Sequence, residues 1–201
     1  MAFALSLIII GCWIIFLVYW AINATKTKPS QEVKKGTWIY KSTILYSAIA
    51  IALASRWFIL FGCATKLSTC RYDLSIPSVS TPLSIEYLSV ILMILGLTIA
   101  ILARKKLADN WSSVVDYKTG HKLIITGVYK YMRHPIYSGF FLMGLGTVLF
   151  VNVSYFWIIF IVALILFVIR IKKEEQLMIK HFPKEYPEYK KKVKALIPFI
   201  F

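Results

Sequence analysis

The residues best able to do chemistry cluster between 121 and 139, where His121, Lys122, Leu123, Ile124, Tyr129, Arg133, His134, Pro135, Ile136 and Tyr137 follow one another within a few positions. A chain that is 59% apolar has little reason to hold His, Arg and Tyr together between hydrophobic segments unless they meet a ligand. Pro135 lacks an amide hydrogen and suits a first helical turn, so Arg133-His134-Pro135 reads as an extended entry to a helix that begins near Pro135. The first-turn amides of such a helix, with the positive end of its dipole, favour a carboxylate or phosphate. Gly139, Gly144 and Gly146 continue the same helix and permit close approach of a backbone or a flat ligand; plain helix packing is the simpler reading of the last two. Arg170 and Glu174 form a second group, four residues apart and so on one helix face. They read either as an interfacial ion pair worth a few tenths of a kcal/mol or as a pair aimed at ligands, and their spacing leaves both open.

These residues need a scaffold, and the scaffold is membranous. Runs of about 20 apolar residues cross a hydrocarbon layer of roughly 30 Å, and such runs occupy 3–22, 44–62 and 84–103. A longer block, 136–169, is interrupted by Asn152-Val153-Ser154 and reads as a tight hairpin of two helices of about 15 residues each, tilted, thinning the bilayer or crossing it incompletely. Beyond it, Leu177, Met178, His181 and Phe182 form an apolar face opposite Lys173, Gln176 and Lys180, as in an amphipathic helix lying against the membrane. The expected fold is an all-α integral membrane protein of about five transmembrane helices, with a cytosolic loop at 106–135 and a C-terminal amphipathic helix. Residues 1–105 would form a three-helix scaffold and residues 106–201 the functional region.

Charge orients the bundle. Lysines follow the first span, Arg104, Lys105, Lys106, Lys118, Lys122, Lys130 and Arg133 follow the third, and further basic residues lie between Arg170 and Lys194, whereas the second loop holds only Lys66 and Arg71. The positive-inside rule places the N-terminus outside and both the C-terminus and the 121–137 segment in the cytosol. The formal charge of +15 is then loop charge facing anionic headgroups, and no nucleic-acid partner is expected. Arg56 lies close enough to the outer end of the second span to snorkel. No Cys-x-x-Cys or metal-ligand spacing occurs, so no metal site is expected, and spacing alone leaves open whether Cys63 and Cys70 pair. The oligomeric state is likewise open.

Asn110-Trp111-Ser112, His121-Lys122-Leu123-Ile124, Gly127-Val128-Tyr129, Arg133-His134-Pro135-Ile136-Tyr137, Glu174-Glu175, Glu185-Tyr186 with Tyr189, and Ile197-Pro198 together resemble the isoprenylcysteine carboxyl methyltransferase family, over about residues 103–198. The resemblance implies a multispan membrane enzyme that binds S-adenosylmethionine in a cytosolic pocket and admits a lipophilic methyl acceptor from the bilayer. It places cofactor contacts on His121, Lys122, Leu123, Ile124, Tyr129, His134, Pro135, Ile136, Tyr137 and Glu174, and substrate binding on Arg170. The chain departs from the family pattern at Pro183, where glycine is usual, and at Val114, where some members carry a polar cofactor contact.

On this reading the helix amides take the cofactor carboxylate, Glu174 its ammonium or a ribose hydroxyl, and the Tyr129 and Tyr137 rings the adenosine and the cation. Arg170 clamps the acceptor carboxylate with its planar fork. An α-carboxyl with a reference pKa of about 3.3 to 3.7 is already ionised at neutral pH. His134, the other candidate catalytic group, therefore reads as a hydrogen-bond donor and pocket wall rather than a base. Two related chemistries compete: methylation of a lipid amine, which would need His134 as base, and NADPH-dependent reduction of a sterol-like lipid, which would need further basic residues such as Lys118, Lys122 and Lys130 around a second phosphate.

Overall fold

The computed structural model describes residues 2–24, 81–108 and 123–197, all within one compact unit. The apolar run at 44–62, Arg56, Cys63 and Cys70 lie outside the described residues. The described residues form α1 (Ala2–Ala24), α2 (Leu83–Leu107), a 3-10 turn (Gly127–Lys130), α3 (Pro135–Val151), α4 (Ser154–His181) and α5 (Glu185–Lys192). Among them there is no β-strand, only a parallel bridge between Met132 and Lys194. Two helical stretches, Ala4–Asn23 and Leu83–Leu107, are long and apolar enough to cross a membrane. α3 has 17 residues, about 26 Å of helix at ~1.5 Å per residue.

The polar dent at 152–154 does end one helix and start another. Asn152 adopts φ 47°, ψ 44°, a left-handed conformation that asparagine tolerates better than most side chains, and its N–H donates to Val148 O at 2.9 Å. The second arm differs from the expected 15 residues: α4 runs for 28, so the amphipathic stretch continues this arm rather than forming a separate helix. The reason is local, because no Gly or Pro occurs between Ile169 and Phe182 to break it. The expected faces hold, with Leu177, Met178, His181 and Phe182 half-buried and Lys173, Gln176 and Lys180 exposed. Pro183 follows the capping residue Phe182, a place where proline turns a chain out of a helix.

Small residues decide how the bundle closes. α2 and α3 run antiparallel, with Gly96 facing Gly139 and Ser89 facing Gly146, so the small positions recur every seven residues on each helix. A Cβ on Gly139 would sit 2.5 Å from Gly96 O, and one on Gly146 would sit 2.6 Å from Ser89 O. The sevenfold spacing keeps one seam in register between two helices at a shallow crossing. Lipid supplies no hydrophobic drive between apolar helices, so this close packing takes its place. Gly139 and Gly146 are thus packing residues, while Gly144 faces only the Phe160 ring.

α1 adds Leu5, Ile9, Cys12 and Phe16 to a core that includes Met93, Leu97, Ala100 and Met143, and Trp13 Nε1 donates to Thr147 Oγ1 of α3 at 3.0 Å. At the far end Arg104, 3% exposed, donates through Nη2 to Asn23 O at 2.9 Å and through Nη1 to Ala108 O at 2.7 Å. One guanidinium therefore serves carbonyls at the C-terminal ends of both α1 and α2, where a cation also complements the helix dipoles. Outward, Ile14, Ile15, Ile91, Ile94, Ile158 and Ile165 are exposed, an apolar exterior suited to lipid.

Gly139→Ala forces the two backbones apart and should lower stability by about 1–3 kcal/mol. Gly11→Ala, where an added Cβ meets nothing within 4 Å, should leave the thermal midpoint in detergent unchanged or slightly higher. Equal midpoints for the two variants would show that the seam tolerates separation.

Candidate active site

The site is built on the first turn of α3. His134 caps the helix with φ −124°, ψ 59° and Pro135 occupies the first helical position. His134 N–H donates to Ala195 O at 2.9 Å and Ser138 N–H to His134 O at 3.1 Å. Pro135 has no N–H, so the Ile136 and Tyr137 amides are the first-turn donors with no acceptor inside the helix.

Tyr137 points across the hairpin to α4. Its hydroxyl donates to Glu174 Oε1 at 2.5 Å, and Arg170 Nε donates to the Tyr137 oxygen at 2.8 Å and to Glu174 Oε1 at 3.1 Å. The Arg170–Glu174 ion pair therefore forms, but as part of a three-residue network joining two helices. The Tyr137 ring packs on Phe167, one turn before Arg170, at 5.2 Å between centroids, and His134 stacks on it at 5.7 Å and 19°. His134 Nδ1 lies 3.7 Å from Glu174 Oε2. Four of the residues singled out in the sequence, His134, Tyr137, Arg170 and Glu174, thus come together.

The neighbouring Glu175 received no role from the sequence, and it organises the other side of His134. It is 6% exposed. Arg133 Nε and Nη2 each lie 2.7 Å from Oε1, Lys190 Nζ donates to Oε2 at 2.6 Å, and His134 Nε2 lies 3.4 Å from Oε1. Burial pushes the carboxyl up, but hydrogen bonds from His134, Lys190 and Arg133, with the charge of Arg133, outweigh it and hold its pKa at about 2.

Arg133 also donates through Nη1 to the carbonyls of Val193 and, at 3.3 Å, Lys190. Its own N–H donates to Lys194 O at 2.8 Å, and Ser138 Oγ to Leu196 O at 2.6 Å. The C-terminal segment is therefore strapped across the base of α3. α5 delivers it there, with Glu185 and Glu188 in its first turn and Lys190, Lys191 and Lys192 in its last, matching the helix dipole. Tyr189 Oη donates to Tyr129 O at 2.5 Å, which ties α5 to the 3-10 turn, and burial raises the pKa of both phenols.

The remaining candidates are more dispersed. Tyr129 is 7% exposed, Pro135 is fully buried, and Leu123, Ile124 and Ile136 are half-buried. His121, Lys122 and Val114 lie outside the described residues. Glu175 and Lys190 are what the sequence reading missed, and Arg133 was singled out there without a partner. The available signal was the adjacency of Glu175 to Glu174 and of Arg133 to His134, each pair lying within one motif.

An apolar helical exterior around a polar network at the base of a helical hairpin is the build of a helical membrane protein. The sequence pattern of the isoprenylcysteine carboxyl methyltransferase (ICMT) family matches residues 89–180. A protein-S-isoprenylcysteine O-methyltransferase of Saccharomyces cerevisiae is 37% identical over 152 residues, covering 74% of this chain and 63% of that one. A probable protein-S-isoprenylcysteine O-methyltransferase of Oryza sativa subsp. indica is 32% identical over 151 residues, covering 74% and 79%. Among solved structures, the eukaryotic intramembrane Ras methyltransferase ICMT superposes with a TM-score of 0.51 at 28% identity, over 58% of this chain and 45% of that one. The chain belongs to the isoprenylcysteine carboxyl methyltransferase family. It spans just under two thirds of the yeast relative and less than half of the solved structure's chain.

Because its folded pKa is depressed below the ordinary value of 4.5, Glu175 contributes stability that is present above pH ~4.5 and lost as pH falls towards 2, on the order of 3 kcal/mol in full. Glu175→Gln should lower the melting temperature at neutral pH and flatten its fall between pH 4.5 and 2, followed by thermal unfolding across pH. Parallel wild-type and variant profiles over that range would deny Glu175 this part.

Proposed function

We propose that this chain is an S-adenosylmethionine-dependent carboxyl O-methyltransferase that esterifies an isoprenylcysteine or a similar lipophilic carboxylate at the membrane, with its active site and C-terminus on the cytosolic side and its N-terminus outside. The observation that carries the reading is the convergence of Tyr137, Arg170, Glu174 and His134 where the apolar hairpin ends. The basic residues Arg104, Lys105 and Lys106 in the last turn of α2, with Lys130 close by in the 3-10 turn, support the cytosolic assignment of this end.

The residues present suit S-adenosylmethionine. Glu174 offers a carboxylate for its ammonium or a ribose hydroxyl, the Ile136 and Tyr137 amides suit its carboxylate, and the Tyr137 ring suits its aromatic base or its cation. The family resemblance adds His121, Lys122, Leu123, Ile124 and Tyr129. Pro135, being fully buried, fixes where the helix starts. When bound, the cofactor supplies a methyl group on a sulfonium, an electrophile that needs only an aligned nucleophile.

An ionised acceptor carboxylate is that nucleophile, so this chain has no proton to remove. Its task is to orient the carboxylate and exclude water. Arg170 is placed for the first part: Tyr137 and Glu174 hold its Nε edge and fix the guanidinium plane. His134, stacked on Tyr137 and set between two glutamates, acts as a wall and a donor. Ile159 and Leu166 are exposed on α4, seven residues apart on the face that carries Arg170, a path for an acceptor's lipid tail arriving from the bilayer.

The test is transfer of labelled methyl from S-adenosylmethionine to N-acetylated farnesylcysteine by membranes containing this protein, scored as base-labile methanol. Arg170→Ala should reduce this label by about a hundredfold or more while leaving cofactor binding within about twofold. Glu174→Gln should weaken cofactor binding roughly tenfold by calorimetry. Folded, abundant protein that yields no label, or label stable to base, would overturn carboxyl methylation of this acceptor.

A further inference from the structure

The last turn of α2 and the 3-10 turn flank an open groove of about 630 Å³ lined by Leu102, Lys105, Lys106, Gly127, Lys130 and Tyr131, among others. None of these residues takes part in the network around Arg170 and Glu174. Three lysines line this groove from two separate elements, and none is paired with a carboxylate among the described residues. Among those residues the carboxylates are Glu86, in the first turn of α2 at the other end of that helix, and the glutamates of α4 and α5. Lys105, Lys106 and Lys130 are all exposed.

The backbone brings the two elements together. Gly127 has φ +67°, and a Cβ added there would touch the Lys106 stem at 3.5 Å, so the turn lies against that lysine's aliphatic chain. The wall of the groove is apolar. Leu102 is 48% exposed and continues the lipid-facing side of α2 formed by Ile91, Ile94 and Leu95, while Tyr131, 55% exposed, offers an aromatic ring of the kind that sits at headgroup depth.

We propose that this groove holds the headgroup of an anionic glycerophospholipid from the surrounding membrane, with its phosphate among Lys105, Lys106 and Lys130 and its acyl chains along Leu102. The lysines supply charge without geometric demand, as suits a phosphate whose substituents vary. Their aliphatic stems lie along apolar surface while the ammonium groups stay in the headgroup layer. A free phosphate would use the same charges but would gain nothing from Leu102 and Tyr131, and it is on those two residues that the assignment to a lipid stands.

The test is native mass spectrometry of the full chain released from detergent micelles, with phosphatidylserine, phosphatidylcholine and soluble glycerol phosphate as probes. Wild type should retain one phosphatidylserine at least roughly tenfold more tightly than phosphatidylcholine, on the scale that a few interfacial lysines supply. Lys105→Gln/Lys106→Gln/Lys130→Gln should lose that preference. Lys184→Gln/Lys191→Gln/Lys192→Gln, with the same change in net charge, should keep it, and an unaltered elution volume shows that each variant is folded. Equal retention by both triple variants, equal loss from both, or no preference over phosphatidylcholine would overturn the site. Glycerol phosphate bound as tightly as the lipid would reassign it to a free phosphate.

Discussion

The site depends on one buried anion. Glu175 sits on α4, yet its oxygens are met by Arg133 from the segment before α3, by Lys190 from α5 and by His134 at the helix cap. Two parts of the chain, the 133–134 entry to α3 and α5, are thereby held to one carboxylate of α4. A buried ion pair is often no better for stability than a well-packed apolar cluster, because desolvation offsets the attraction. Here the arrangement also sets position: the guanidinium that meets Glu175 reaches two carbonyls of the C-terminal segment, and the backbone of that segment accepts from Arg133 and His134. Through these bonds the ring of His134, the plane of Tyr137 and the first-turn amides of α3 have a fixed frame.

The two adjacent glutamates divide the work by helix geometry. Successive helical residues lie about 100° apart, so Glu174 and Glu175 point to different sides and share only His134. Glu174 faces Tyr137 and Arg170, and Glu175 faces the strap. His134 stands between them, 3.7 Å from Glu174 and 3.4 Å from Glu175, and so joins the Arg170 side to the strap side. The same economy appears at Arg104, whose one guanidinium serves the ends of two helices.

Much of the scaffold was legible because membrane spans write themselves as length and hydropathy. The first and third runs, and the hairpin break at Asn152, follow from how many apolar residues a bilayer needs and which side chains tolerate a left-handed backbone. The reach of α4 past the apolar block was readable too, since nothing between Ile169 and Phe182 interrupts a helix, but the change of composition there suggested a boundary that the backbone does not have. Among the residues that converge at the base of the hairpin, His134, Tyr137, Arg170 and Glu174 were singled out from motif and spacing. Glu175 and Lys190 were not, and Arg133 was noticed without its partner, because an ion pair between residues 42 positions apart leaves no local mark. Arg104 was hidden for another reason: in the sequence it is one more basic residue at a helix end, and its burial depends on where α1 stops. The strap across α3 was invisible because it is made largely through backbone carbonyls, which every sequence has.

The left-handed residue at Asn152 turns the hairpin into a measuring device. From that bend, α3 descends 17 residues to Pro135, and Arg170 stands at the 17th residue of α4, counted from Ser154. The two arms are counted off equally from one fixed point, so the depth of the guanidinium is a matter of number rather than of local sequence. An arm longer by a single residue would shift its end by ~1.5 Å and rotate it by about 100°, carrying Arg170 off the face that Tyr137 shares. Variation in this protein can therefore enter through the identity of the apolar residues in the arms far more easily than through their count.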